Sequence, residues 1–254
     1  MNFKRLQFAN RHGHQLAAQL DLPDGGKPHT FALFAHCFTC TKNLKAVHNI
    51  NDALTAGGIA VLRFDFTGLG QSQGEFAETG FTTNVSDLID AAGYLEKNFK
   101  APQILIGHSL GGAAALQAAA DISAVRAVAV IAAPARPDHV LQHISDAKQK
   151  IEEEGEAEVM LGGRPFRIKK QFLDNMKAQN MEGVVKNLNR ALLILHSPVD
   201  NIVGIENASE IFQAARHPKS FVSMDTADHL LSRRADSLYA GGIIAAWSGR
   251  YIRS

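Results

Sequence analysis

The chain has 254 residues, enough for one α/β domain to bury a complete core. Its 26 Lys and Arg against 25 Asp and Glu leave a formal charge of +1, which excludes the basic footprint of a nucleic-acid binder. Met1 to Leu20 lacks a continuous apolar stretch and no segment approaches the roughly 18 apolar residues of a membrane span, so a cytoplasmic protein with no membrane partner is expected. Cys37 and Cys40 are too few and too close to staple a secreted scaffold, and they read as reduced thiols.

Lys4 to Ala9 and Gln15 to Asp21 flank Arg11-His12-Gly13-His14 and predict an antiparallel hairpin. Phe31 to Ala35 is a continuous apolar run, as in a strand buried on both faces. Leu44 to Ala56 predicts a helix closed by Gly57-Gly58. Ile59 to Phe64, Ile104 to Ile106, Val125 to Ile131 and Leu192 to Leu195 repeat the buried-strand pattern, with helices at Val85 to Phe99 and Leu110 to Ala120. Arg136 to Asn187 breaks this rhythm with Glu152-Glu153-Glu154, Gly162-Gly163 and Lys169-Lys170. It reads as helix, hairpin, helix, a lid at 136–187 within a single domain spanning 1–254. Ala208 to Ala215 as helix, Ser220 to Met224 as strand and Leu238 to Tyr251 as helix complete the alternation. The sum is a mostly parallel sheet covered by helices on both faces.

Gly107-His108-Ser109-Leu110-Gly111 matches G-x-S-x-G between a strand and an Ala-rich helix. In that setting a sharp turn exposes the serine, and the glycines leave room for it. A serine hydroxyl is a weak nucleophile and needs a base to take its proton and a carboxylate to orient that base. His229 follows the last strand and Asp200 follows the strand before it, so Ser109, Asp200 and His229 are the candidate catalytic residues. Asp225 and Asp228 compete with Asp200, but a carboxylate reaching the far ring nitrogen is expected from the neighbouring strand's loop. His196 reads as strand scaffolding, and His12 and His14 as turn residues. His139 and His143 stand four apart on a helix but have no convincing third ligand, so no metal or cofactor is expected. The N–H groups of Leu110 and Phe38 are the expected oxyanion donors. His36, Phe38, His108 and Val203 are expected to bind substrate.

His36-Cys37-Phe38, Asp65-Phe66-Thr67-Gly68-Leu69-Gly70-Gln71-Ser72, the Ser109 turn, Asp200 and His229 together resemble the α/β-hydrolase superfamily over nearly the whole chain. The resemblance implies an α/β-hydrolase fold with an eight-stranded sheet, an N-terminal hairpin and a small helical and hairpin lid. It implies a serine hydrolase, a carboxylesterase forming an acyl-enzyme from a small-molecule acyl substrate. Many relatives carry Gly after the loop histidine, where this chain has Cys37. His36-Cys37-Phe38-Thr39-Cys40 and Arg216-His217-Pro218-Lys219-Ser220-Phe221-Val222 are similar to the hydrolase half of bifunctional proteins that carry an OsmC-like domain. Peroxide reduction belongs to that other domain and is not expected here. The alternatives are a non-catalytic partner of an OsmC-like protein and a redox module using Cys37 and Cys40 as a C-x-x-C dithiol. In the hydrolase reading the two thiols are dispensable.

Overall fold

The computed structural model describes residues 2–161 and 163–252; Gly162 and the side chain of His143 lie outside the described residues. β1 (Asn2–Ala9) and β2 (Gln15–Leu22) form the expected hairpin. Behind it alternate β3 (Thr30–Ala35), α1 (Lys45–Ala56), β4 (Ile59–Phe64), α2 (Phe81–Asn98), β5 (Ile104–His108), α3 (Leu110–Ala118) and β6 (Ala127–Ile131). An excursion follows, with a 3-10 run at Pro137–Ile144, α4 (Ser145–Glu154), the antiparallel pair β7 (Glu156–Leu161) and β8 (Arg164–Lys169), α5 (Lys170–Lys177) and α6 (Met181–Lys186). The chain then returns through β9 (Ala191–His196), α7 (Glu206–Ala214), β10 (Lys219–Ser223) and α8 (Arg234–Ser248).

Among the described residues eight strands form one sheet in the order β1-β2-β4-β3-β5-β6-β9-β10. Only the pairings of β2 with β1 and β4 are antiparallel; the rest are parallel. The five strands β4, β3, β5, β6 and β9 are buried at every position, which is why each reads as a mainly apolar run, interrupted in β4 by the ion-paired Arg63. Their side chains alternate between two cores. Leu33, Leu105, Val128 and Leu192 meet α2, α3 and α7 on one face, whereas Phe34, Ile106, Ala129 and Leu193 meet α1 and α8 on the other. The parallel register carries the C-terminal ends of β3, β5, β6 and β9 to one rim of the sheet.

Two helices begin four residues before their expected starts. α2 begins at Phe81, four residues before the apolar pattern at Val85. α8 begins at Arg234 rather than Leu238, because its first turn is held by polar contacts, Arg233 Nε donating to Asp236 Oδ2 at 2.8 Å, and needs no apolar side chain. A firmer correction concerns the cysteines: Cys37 and Cys40 are joined in a disulfide, and the reduced-thiol reading does not hold. The bridge closes a tight turn after β3, where Cys40 N–H donates to Cys37 O at 3.1 Å.

Two buried ion pairs fix the strand ends around that turn. Arg63 Nε donates to Asp21 Oδ2 at 2.8 Å, and Asn51 Nδ2 donates to the same oxygen at 2.8 Å. Lys42 Nζ donates to Asp65 Oδ2 at 2.6 Å and its backbone N–H to Oδ1 at 2.7 Å. Removing one member of such a pair strands a buried charge. Arg63→Leu is therefore expected to cost about 3 to 5 kcal/mol. The double change Asp21→Leu with Arg63→Leu is expected to cost less, because no lone charge remains. Urea unfolding monitored by circular dichroism checks this; a double variant weaker than the single one contradicts it.

Candidate active site

The turn between β5 and α3 places Ser109 at φ 54°, ψ −128°, a conformation that L-residues rarely adopt and that costs on the order of 1–3 kcal/mol. Ser109 N–H donates to Ile131 O at 2.8 Å, and Gly112 N–H donates to Ser109 O at 2.8 Å, so neighbouring backbone holds the turn in place. The glycines of the motif are required by space. A Cβ at Gly107 would lie 2.5 Å from Gly112 Cα, and one at Gly111 would lie 2.5 Å from Ala35 O. The Gly111 approach brings α3 against the end of β3 and fixes the separation between the Ser109 turn and the Cys37–Cys40 turn.

Ser109, Asp200 and His229 come from three different loops and meet. The Ser109 hydroxyl donates to His229 Nε2 at 3.0 Å, and His229 Nδ1–H donates to Asp200 Oδ2 at 2.8 Å. All three are buried. Asp200 Oδ1 accepts from the N–H groups of Ile202 at 2.9 Å and Val203 at 3.0 Å. Burial pushes the Asp200 carboxyl upward, but His229 and these backbone donors outweigh it and hold the group below the usual carboxylate range. The competing carboxylates are engaged elsewhere: Asp225 Oδ1 accepts from Ser223 Oγ, and Asp228 Oδ1 accepts from Ser232 N–H.

Three further histidines brace these loops from behind. His108 Nε2–H donates to the carbonyl of His229 at 2.7 Å, and His196 Nε2–H donates to the carbonyl of Val203 at 2.8 Å. His36 Nδ1–H donates to Cys37 O at 2.8 Å. Burial lowers all three below the ordinary histidine value, and His108, also repelled by His229, falls to about 3. His36 and His108 were expected to bind substrate. The structure instead packs both beneath the loops and leaves them outside the cleft lining, each with one ring N–H donating to a main-chain carbonyl. His196 is the buried scaffold residue it was expected to be.

A cleft of about 470 Å³ opens over Ser109 and His229, within the size range of small-molecule sites. Phe38 and Leu110, the expected donors, line it, as does Val203. Its walls also include Val140, Met160 and Leu161 of the excursion, with Ile202 and Leu230 from the loops after β9 and β10. These were missed by sequence reasoning. Ile202 and Leu230 had a legible signal, lying two residues after Asp200 and one after His229; Met160 had none. No Asp, Glu, Lys or Arg lines the cleft among the described residues. Nor is any group of three or more His, Cys, Asp or Glu among them arranged to hold a metal. His139 Nε2–H donates to Ile202 O at 2.9 Å, across the cleft, while the side chain of His143 lies outside the described residues.

Fold and site geometry define an α/β hydrolase. The model of the Alpha/beta hydrolase family matches residues 29–236, and the chain belongs to that family. The esterase domain of a Rhodothermus marinus protein is 50% identical in its crystal structure, with a TM-score of 0.80 and 99% of each chain covered. Est1E from Butyrivibrio proteoclasticus, solved with ferulic acid bound, shares the fold at 18% identity, with a TM-score of 0.81 over 96% of this chain and 99% of that one. The uncharacterized protein YfhR of Salmonella typhi is 22% identical over 233 residues, 86% of this chain and 72% of that protein. No helix among the described residues is long and apolar enough to cross a membrane.

The buried histidines predict an acid limb in stability. The unfolded chain binds their protons near the ordinary value of about 6.5, whereas the folded chain keeps them neutral to lower pH. Stability is thus greatest above about pH 6.5 and is lost as pH falls through it, by on the order of 1.4 kcal/mol per pH unit per histidine. His196→Gln, which keeps a donor for Val203 O, is expected to lower the slope by one proton's worth. Urea melts from pH 7 to 5 measure it, and an unchanged slope in that variant sinks the account.

Proposed function

We propose that the protein hydrolyses carboxylic esters through an acyl-enzyme on Ser109. The observation that carries this reading is the hydrogen-bonded series Ser109, His229, Asp200 at the floor of an uncharged, mostly apolar cleft. The 50% identical esterase domain supports ester hydrolysis as the reaction. Ser109 Oγ attacks the ester carbonyl carbon while His229 Nε2 takes its proton, and the carbonyl electron pair moves onto oxygen. The backbone N–H groups of Leu110, at the start of α3, and of Phe38 receive that oxyanion. Asp200, ionised at neutral pH, stabilises the imidazolium and keeps its tautomer correct. Collapse expels the alcohol oxygen, which leaves with the proton from His229. Water then repeats the sequence, giving its proton to His229 and its oxygen to the acyl group, and Ser109 regains its hydrogen.

The absence of Asp, Glu, Lys and Arg from the cleft wall among the described residues favours an uncharged acyl and alcohol portion, since a carboxylate or ammonium buried there would have no partner among them. Segment 136–187 acts as the lid in this reading, supplying Val140, Met160 and Leu161 to the wall. The Cys37–Cys40 disulfide is the one observation in favour of a redox module, and dithiol exchange that persists in Ser109→Ala would support it.

Ser109→Ala is expected to abolish p-nitrophenyl ester turnover and labelling by a serine-directed phosphonate without changing the circular dichroism spectrum. Wild-type-like hydrolysis in that variant ends the serine-nucleophile reading. Asp200→Asn is expected to lower kcat by up to about 10⁴, the effect of a wrong imidazole tautomer. Asp225→Asn and Asp228→Asn are expected to cost far less, and the reverse ranking reassigns the acid.

A further inference from the structure

The turn that carries Phe38 is fastened at its ends and strained in its middle. At one end His36 leaves β3 and its ring holds Cys37 O. At the other, Lys42 is buried and tied to Asp65 through both its backbone and its ammonium. Between these anchors Thr39 sits at φ 60°, a conformation rare for a β-branched residue and kept only where the surroundings impose it. Three things impose it. The Cys37–Cys40 disulfide closes the turn, the Cys40 N–H donates to Cys37 O within the same turn, and Arg164 of β8 donates to Thr39 O from the excursion. All four residues of the turn line the cleft opposite Ser109.

We propose that the Cys37–Cys40 disulfide is a positioning element of the oxyanion loop, and that a dithiol reductant reaching it through the cleft lowers turnover by releasing the Phe38 N–H. The inference rests on the ester-hydrolase reading above. A thiolate of the dithiol attacks one cysteine sulfur, the Cys37–Cys40 bond breaks, and the departing cysteine thiolate takes up a proton. The second thiolate of the reductant then attacks the mixed disulfide, expelling the other cysteine thiolate, which is protonated in turn. The protein gains two electrons and two protons, and the dithiol is oxidised to its own disulfide. Cys40 is only half-buried and lines the cleft, so the bridge is accessible to a small reductant. Without the bridge, Thr39 has less to hold it in the left-handed region, and its relaxation turns the Phe38–Thr39 peptide directly. With the Cys37 side chain freed, the shift passes through Phe38 to the Cys37–Phe38 peptide, whose N–H is the donor and whose carbonyl only the hydrogen bonds from the His36 ring and the Cys40 N–H then restrain. The Phe38 ring still packs against Phe76 and Phe172, with centroids at 5.8 and 5.5 Å, so the side-chain surface of the cleft persists while the N–H direction changes. A loss in the transition state is therefore expected with little change in substrate binding.

The test compares the oxidised protein with the same protein held in dithiothreitol, using a p-nitrophenyl ester. Alkylation and mass spectrometry establish the state of both cysteines. Since one oxyanion donor is worth about 10²–10³ in kcat, partial misplacement is expected to lower kcat by about tenfold or more, with KM within about twofold. Affinity for a trifluoromethyl ketone, whose adduct oxygen occupies the oxyanion position, is expected to fall in parallel with kcat/KM. Reoxidation restores both. Because the two cysteines are joined, the expectation from sequence that their thiols are dispensable is reversed: the double variant Cys37→Ser with Cys40→Ser is expected to show the reduced rate at once and to ignore dithiothreitol. Ser109-dependent hydrolysis with kcat unchanged after both cysteines become alkylatable overturns the proposal and leaves the hydrolase reading intact. Loss of the far-UV circular dichroism on reduction makes the bridge a staple of the fold and overturns it as well. Absence of Ser109-dependent hydrolysis in the oxidised protein overturns the hydrolase reading and the proposal together.

Discussion

The strained turn at Ser109 is the constraint on which the rest of the arrangement depends. A residue at φ 54° is tolerable only if the backbone on both sides is immobile. β5 supplies that immobility from the middle of the sheet, paired with β3 on one side and β6 on the other and buried along its whole length. α3 supplies the rest, because Gly111 lets it press against the end of β3. The strain at one hydroxyl is thus balanced by a large, continuous core, and the hydroxyl emerges at the sheet rim where the neighbouring loops also end.

Those loops are positioned by neutral imidazoles. His108, His196 and His36 each donate one ring N–H to a main-chain carbonyl, at His229, Val203 and Cys37 respectively. A charged ring in such a buried place would be costly, and burial accordingly keeps all three uncharged. Neutral donors hold the loops without adding positive charge beside Asp200 and His229. The electrostatics of the site are left to a single carboxylate, which Val203 and Ile202 orient through their N–H groups.

The cleft itself is a joint product of the rim and the excursion between β6 and β9. The rim brings polar chemistry, and the excursion brings apolar wall from Val140, Met160 and Leu161. His139 to Ile202 O and Arg164 to Thr39 O tie the two together beside the cleft, and Lys169 ties the excursion to Glu78 before α2. The Arg164 contact makes the excursion a neighbour of the Cys37–Cys40 turn as well as of the cleft.

Much of this was legible in the sequence, for definite reasons. Strands buried on both faces must be apolar unless a charge is paired inside, so β3, β4, β5, β6 and β9 announce themselves as mainly apolar runs, with Arg63 of β4 the paired exception. A serine turn squeezed between strand and helix must have Gly107 and Gly111, and loops at the ends of successive parallel strands share one rim, which selected Asp200 and His229 as residues that come together. What tertiary structure alone decided were relations between residues with no local signature. Whether His36 and His108 face a cleft or a carbonyl depends on which loop crosses behind them. That Met160 reaches the cleft depends on where a hairpin folds, and that Cys37 and Cys40 join depends on the bend at Thr39. Local pattern reports burial and backbone need, because both act on the residue itself; side-chain direction and long-range partners are set by packing, which involves atoms far away in the chain.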